Sequence, residues 1–155
     1  MTGRSSELAA RLGAQFDAWP AVVGDFSSPR LETRPAEGKW NAREQLAHIA
    51  RMHGVCAARI RVILARELPT LPAYRVERDP SWERWRQYSV TDLLAVAAGR
   101  RVDLMAMVRA LDDPALDRVG VHAELGPLPL SEWLEFFLVH EAHHLYAIFK
   151  LARAR

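Results

Sequence analysis

Two histidines spaced four residues apart, His140 and His144, lie in the apolar stripe of the last helical segment of the chain. The stripe continues through Phe137 and Ile148 at steps of three or four residues, the spacing of one helix face. Residues four apart differ by about 40° around a helix and by about 6 Å along it, so both rings can reach one shared atom. Burying an unpaired ring costs roughly 1–3 kcal/mol, which a metal–nitrogen bond offsets. The pair therefore predicts a metal site, with hydrogen bonds to carbonyl groups as the alternative.

The identity of the other ligands is open from spacing alone. His143 can also pair with His140, but it lies about 60° to the other side and away from the stripe. A third ligand must come from another segment, and the second helical segment supplies His48 and His53. The apolar stripe of that segment centres close to His53, whereas His48 falls on its flank. Periodicity therefore favours His53 as the inward residue.

Four segments with helical periodicity position these histidines, and stretches rich in proline or glycine separate them. We predict helices over residues 5–26, 41–66, 89–113 and 131–153. Pro20 is expected to kink the first helix, because proline removes a backbone donor and crowds the preceding turn. No segment alternates with the period of a strand, so we predict an all-α four-helix bundle.

Capping residues mark two of the helix starts. Asn41 and Glu44 have the spacing of a capping box at the second helix, and Ser89 and Asp92 repeat that spacing at the third. The connector over residues 68–88 is long and holds Trp82 and Trp85. We expect these tryptophans to pack over one end of the bundle or to cover a site.

Composition narrows the function classes. A chain of 155 residues fits one domain, and its 21 basic and 19 acidic residues are interleaved, which argues against a nucleic-acid partner. No apolar run reaches the roughly 20 residues of a membrane span, and the amino terminus lacks a secretion signal, so we expect a cytoplasmic protein with no membrane partner. The single cysteine, Cys56, excludes an internal disulfide and is expected to be a small core residue.

The second and fourth segments together resemble the DinB/YfiT-like family of metal-binding four-helix bundles. A Gly-Lys-Trp run at residues 38–40 leads to His48, eight residues after the tryptophan, and the run EWLEFFLVHEAHH carries His140 and His144. The long connector and the GPLPLSEW run before the last helix are also similar to the family. The resemblance covers nearly the whole chain and extends the single bundle domain over residues 1–155.

The resemblance implies a three-histidine metal site formed by His48, His140 and His144. It also implies a divalent cofactor, zinc, nickel or iron, with open positions for water or substrate, since structural zinc normally takes four protein ligands. His53 then becomes a supporting or alternative ligand. The resemblance thus reverses the choice that periodicity favours.

The family also implies two kinds of activity on a small-molecule substrate. A divalent ion lowers the pKa of a water molecule, as in a hydrolase, or of a low-molecular-weight thiol, as in a thiol-dependent transferase or isomerase. The alternative is a non-catalytic stress-response protein whose metal is structural or sequestered. The family habit implies a homodimer.

Three other polar residues are expected to lie outside the site. Glu141 points about 100° away from His140, so we expect it to be solvated, with orienting a ring or acting as a base as the alternative. Arg101 lies on an apolar helix face and is expected to extend to solvent, with binding of an anionic substrate as the alternative. His122 lies in a predicted loop and is expected to be exposed.

Overall fold

Long helices build the fold, as the computed structural model of residues 3–155 shows. The helices are α1 (Arg4–Asp17), α2 (Trp19–Val23), α3 (Ala42–Ala65), α4 (Trp82–Trp85), α5 (Val90–Arg109), α6 (Asp113–Leu116) and α7 (Leu130–Arg153), with 3₁₀ turns at Pro29–Glu32 and Val76–Arg78. Helix α3 packs against both α5 and α7, and α1 packs against α5. The predicted all-α four-helix bundle is confirmed. Within residues 3–155, no helix combines the length and apolarity that a membrane crossing requires.

The first predicted helix is divided into α1 and α2 at Ala18. Pro20 lies in the first turn of α2, where its missing N–H group costs nothing. In an unbroken helix its ring would clash with the carbonyl of Phe16, so the chain breaks rather than bends. Helix α2 ends at Val23 because Gly24 takes a φ of 78°, which stops the helix short of the expected residue 26.

The capping box at the start of α3 is confirmed. The Glu44 amide donates to the Asn41 side chain at 2.8 Å, and the Asn41 amide donates to the Glu44 carboxylate at 3.1 Å. Arg34 and Arg86 also donate to this carboxylate, at 2.5 and 2.9 Å. These bonds fix the first turn of α3, and the rigid helix then sets where His48 lies.

The expectation that the chain holds no strands was wrong for a small sheet. Its strands are β1 (Thr70–Leu71), β2 (Val119–His122) and β3 (Gly126–Pro129); β1 pairs in parallel with β2, and β2 pairs in antiparallel with β3. Strands of two to four residues that hold Gly120 and two prolines give no alternation to detect. The β2–β3 hairpin leads directly into α7 and packs against its start.

Arg101 lies in the core of the bundle, and the expectation that it extends to solvent was wrong. Only 1% of the residue is exposed. Its guanidinium donates to the Leu12 carbonyl at 2.9 Å, to Nε2 of His53 at 2.9 Å and to the carboxylate of Glu141. Because these partners use its hydrogen-bonding groups inside the core, Arg101 has no access to a substrate anion.

Glu141 is equally buried, at 1% exposure, so the expectation that it is solvated was also wrong. Besides Arg101 it accepts hydrogen bonds from Gln15 at 2.7 Å and from the Trp19 indole at 3.3 Å. A charge in the core is tolerated only when it is paired and hydrogen-bonded, and this carboxylate is both. The network ties α7 to α1, α2 and α5.

This network predicts a large loss of stability when one partner is removed. Arg101→Leu is expected to lower the free energy of unfolding by about 3–5 kcal/mol, because it leaves the Glu141 carboxylate buried without its counter-charge. Arg11→Leu is the matched control, since it breaks the exposed ion pair with Glu135 and is expected to cost less than about 1 kcal/mol. Urea denaturation followed by circular dichroism measures both. Equal losses in the two variants would contradict a charge-paired core.

Candidate metal centre

Three imidazole rings converge between α3 and α7. Nε2 of His140 lies 3.3 Å from Nε2 of His48 and 3.2 Å from Nε2 of His144. One nitrogen from each of the three rings lies within 4.8 Å of the others. A tetrahedral ion with metal–nitrogen bonds of about 2.0–2.1 Å separates two ligand nitrogens by about 3.3–3.4 Å. The spacing of the rings therefore fits one divalent ion.

The three rings are neutral at pH 7. Burial, followed by the charges of His144 and His140, lowers the pKa of His48 to about 2. Burial together with His140 and His143 lowers the pKa of His144 to about 3, and burial together with His143 and Arg59 lowers the pKa of His140 to about 4. A neutral imidazole keeps the lone pair that a metal needs.

Gln45 orients one of the rings. The Nδ1 atom of His144 donates to the Gln45 side-chain oxygen at 2.5 Å, which leaves the lone pair on Nε2. The Nδ1 atoms of His48 and His140 are buried, and within residues 3–155 no group lies at hydrogen-bonding distance from them. In the Nδ1–H tautomer each of the three rings offers an Nε2 lone pair, and His144 is the ring whose partner holds this tautomer. The donor set therefore fits a metal in its chemistry as well as in its spacing.

The other two histidines considered as ligands lie outside the cluster. The Nδ1 atom of His53 donates to the Ile49 carbonyl at 3.0 Å, and its Nε2 atom accepts the bond from Arg101. The side chain of His53 is thus part of the core network. His143 is exposed on α7. The structure brings together the three residues that the resemblance implied, and their role as metal ligands stays a prediction.

Aromatic side chains surround the three histidines. The ring centroid of His48 lies 5.1 Å from Trp40 and 5.6 Å from Tyr74, and Trp82 packs on Trp40 at 5.2 Å. Trp82 and Trp85 are both buried, so their expected packing role is confirmed. The Tyr74 hydroxyl donates to Asp79 at 2.8 Å, and Arg51 of α3 donates to the same carboxylate at 2.7 Å, which ties the connector to the bundle.

A cavity of about 360 Å³ opens beside His48 and His140. Trp40, Tyr74 and Phe136 form aromatic walls, and the cavity is large enough for a small molecule. A small molecule can therefore reach the three-histidine cluster from one side. Sequence periodicity does not reveal this cavity, because the connector and the β2–β3 hairpin complete its lining.

His122 is a cavity residue that the sequence reasoning misplaced. It lies on β2 and is only 5% exposed, so the expectation of an exposed loop residue was wrong. Its Nδ1 atom accepts from the backbone amides of Glu124 and Leu125, both at 3.1 Å. Because Nδ1 accepts these bonds, the proton of the ring lies on Nε2, which remains free to donate.

Cys56 is a buried core residue, as expected. Burial raises the pKa of its thiol to about 12, so the thiol is protonated at neutral pH. A protonated thiol is neither a good nucleophile nor a metal ligand. Cys56 therefore supplies neither a nucleophile nor a ligand to the histidine cluster.

Comparison with known sequences gives one family and related proteins. The family model described as the DinB superfamily matches residues 9–148. Two proteins of Oceanobacillus iheyensis, both named as putative metal-dependent hydrolases, are similar to this chain. One is 21% identical, with the match covering 86% of this chain and 77% of its own length. The other is 25% identical, with 80% and 71% covered.

Solved structures have the same fold. YfiT from Bacillus subtilis, described as a probable metal-dependent hydrolase with an unusual four-helix bundle topology, matches with a TM-score of 0.78 at 21% identity, over 96% of this chain and 86% of that one. A DinB-like protein from Bacillus subtilis matches with a TM-score of 0.62 at 20% identity, over 95% and 90%. At these identities the likeness establishes the fold.

The contact between Gln45 and His144 predicts a change in metal affinity without a change in ligands. Gln45→Ala is expected to weaken binding of a divalent metal about 10–100-fold, because the His144 ring loses the bond that fixes its tautomer and orientation. Competition with a chromogenic chelator measures the affinity. Gln87→Ala, at an exposed glutamine, is the matched control and is expected to bind as the wild type does. Equal affinity in both variants would contradict the role of Gln45.

Proposed function

The chain belongs to the DinB superfamily, and from this membership and its histidine cluster we propose that it is a metal-dependent hydrolase of a small molecule. His48, His140 and His144 hold one divalent ion in this proposal. The observation that carries it is the position of the His140 Nε2 atom, which lies 3.2 Å from Nε2 of His144 and 3.3 Å from Nε2 of His48. The names of the Oceanobacillus relatives support the reaction class.

The residues around the cluster have separable tasks. His48, His140 and His144 would hold a divalent ion, which would lower the pKa of a water molecule to about 7 and polarise a carbonyl oxygen. Gln45 holds the proton of His144 on Nδ1, and the aromatic rings of Trp40 and Tyr74 pack against His48. The cavity beside His48 admits the substrate. Glu141 takes no part as a base, because its carboxylate is bound in the core.

Hydrolysis is preferred to thiol transfer because the two Oceanobacillus relatives carry hydrolase names. Cys56, the single cysteine of the chain, is buried, so a thiol-dependent reaction would use a low-molecular-weight thiol from solution. Zinc, nickel and iron all accept imidazole ligands, so metal identity is left to measurement.

Metal content is the first test, made on untagged protein dialysed separately against zinc, nickel and iron(II). We expect one bound ion per chain in the wild type and in His143→Ala, and a loss of stoichiometric metal in His140→Ala. His143 is the matched control because it lies on the same helix but is exposed. Retention of stoichiometric metal in His140→Ala would contradict the proposed ligand set.

Activity is the second test, on a panel of small esters and amides with and without an added low-molecular-weight thiol. Turnover that needs no thiol and falls at least about 100-fold in His140→Ala, with an unchanged melting temperature of the metal-free protein, supports the hydrolase. Turnover only with the thiol would instead favour a transferase. Metal binding without turnover, together with loss of the fold when the ion is removed, would favour a structural metal.

A further inference from the structure

Arg59 lies on the same face of α3 as His48, eleven residues later, because eleven residues return to within about 20° on a helix. Its side chain lines the cavity together with His48 and His140. Three other charged residues line the cavity, and all are exposed: Arg75, Glu77 and Glu124. Arg59 is the partly buried charge of this lining.

No acidic group neutralises Arg59 within residues 3–155, since no carboxylate oxygen lies within 4.0 Å of its nitrogens. By contrast, Arg51 of the same helix is paired with Asp79 at 2.7 Å. The guanidinium of Arg59 donates to the Pro72 carbonyl at 3.1 Å and lies over the Trp133 ring at 5.2 Å. A guanidinium has five N–H donors, so donors remain for a ligand while these two contacts fix its orientation.

A small apolar recess adjoins the same arginine. It has a volume of about 20 Å³, and its lining includes Met52, Arg59, Phe136 and His140, which also line the cavity. Space of this size admits one group about as large as a water molecule. Because the lining is mostly apolar, a methyl group suits the recess better than a polar group does.

We propose that Arg59 binds the carboxylate of an anionic substrate in the cavity, with a small apolar substituent of the substrate in the recess. A planar guanidinium fork matches a carboxylate, and one positive charge balances one negative charge. The inference rests on the proposed metal centre, because a substrate would reach the three histidines through this cavity. It assigns to Arg59 the anion-binding role that sequence reasoning had considered for Arg101.

The test uses a pair of probes of nearly the same shape, butanoate and butanamide, titrated by ¹H NMR into zinc-loaded and metal-free protein. The amide lacks the negative charge, and both probes end in the methyl group that suits the recess. The wild type is expected to prefer the carboxylate in both forms. Arg59→Gln is expected to reduce carboxylate affinity about tenfold and to leave amide affinity unchanged, because it removes the charge-assisted bonds. Arg59→Lys keeps the charge and is expected to retain part of the preference. Arg75→Gln, at an exposed arginine of the same cavity, is the matched control.

Several results would overturn the role of Arg59. One is an unchanged carboxylate preference in both Arg59→Gln and Arg59→Lys. Another is carboxylate binding that His140→Ala removes but Arg59→Gln does not, which would locate the anion on the metal alone. A wild type that binds neither probe would also overturn it. Failure of the metal centre is distinguishable, because it appears as absent zinc while the metal-free titration still reports on Arg59. Melting temperatures verify that both Arg59 variants are folded.

Discussion

The packing of α3 against α7 is the constraint on which the candidate site depends. His48 and His140 are separated by 92 residues along the chain, yet their Nε2 atoms lie 3.3 Å apart. Neither helix holds three converging rings alone, because residues four apart on one helix supply two ligands at most to one point on its surface. The capping box at Asn41 fixes where α3 begins. The β2–β3 hairpin leads directly into α7 and fixes where α7 begins.

Two consecutive residues of α7 enter two different environments. His140 faces the cavity, whereas Glu141, about 100° further around the helix, enters the core and joins Arg101. A rotation of α7 by one residue would bring a histidine into the core and leave Arg101 without its counter-charge. The fully hydrogen-bonded ion pair therefore disfavours that rotation and holds His140 in the direction of His48. The ion pair positions the site although it touches no substrate.

The features that could be predicted from the sequence are those that depend on residues close together in the chain. Apolar periodicity and the caps located the four long helices, and the i, i+4 spacing located His140 and His144, because these features depend on neighbours within one or two turns. Periodicity did not identify His48 rather than His53 as the residue that faces His140 and His144. Helix α3 packs against two partners, so its stripe centre faces the core network and its flank faces α7. The resemblance favoured His48, and the structure supplies this physical reason.

Long-range pairing was hidden in the sequence. Arg101 and Glu141, each considered alone, were predicted to reach solvent. A buried charge can be predicted only when its counter-charge is known, and these two residues are 40 positions apart in the chain. His122 was wrongly predicted to lie in an exposed loop, because its strand has only four residues. The strands that pair with it have two and four residues, so none of them shows a detectable alternation. Arg59 is noticeable only in the structure, which shows that no carboxylate of residues 3–155 lies within ion-pair distance of its guanidinium.

Charge gives the site a consistent chemical character. Three neutral imidazoles leave the full charge of a divalent ion uncompensated, whereas carboxylate ligands would reduce it. Within residues 3–155, the cluster of potential metal ligands contains only histidines. The carboxylate of the nearby Glu141 is paired with Arg101. A divalent ion held by these residues would lower the pKa of a bound water molecule and attract anions. In the proposed site the unpaired guanidinium of Arg59 would add to this field, whereas the acidic residues of the lining, Glu77 and Glu124, are exposed; the proposal therefore favours a negatively charged substrate.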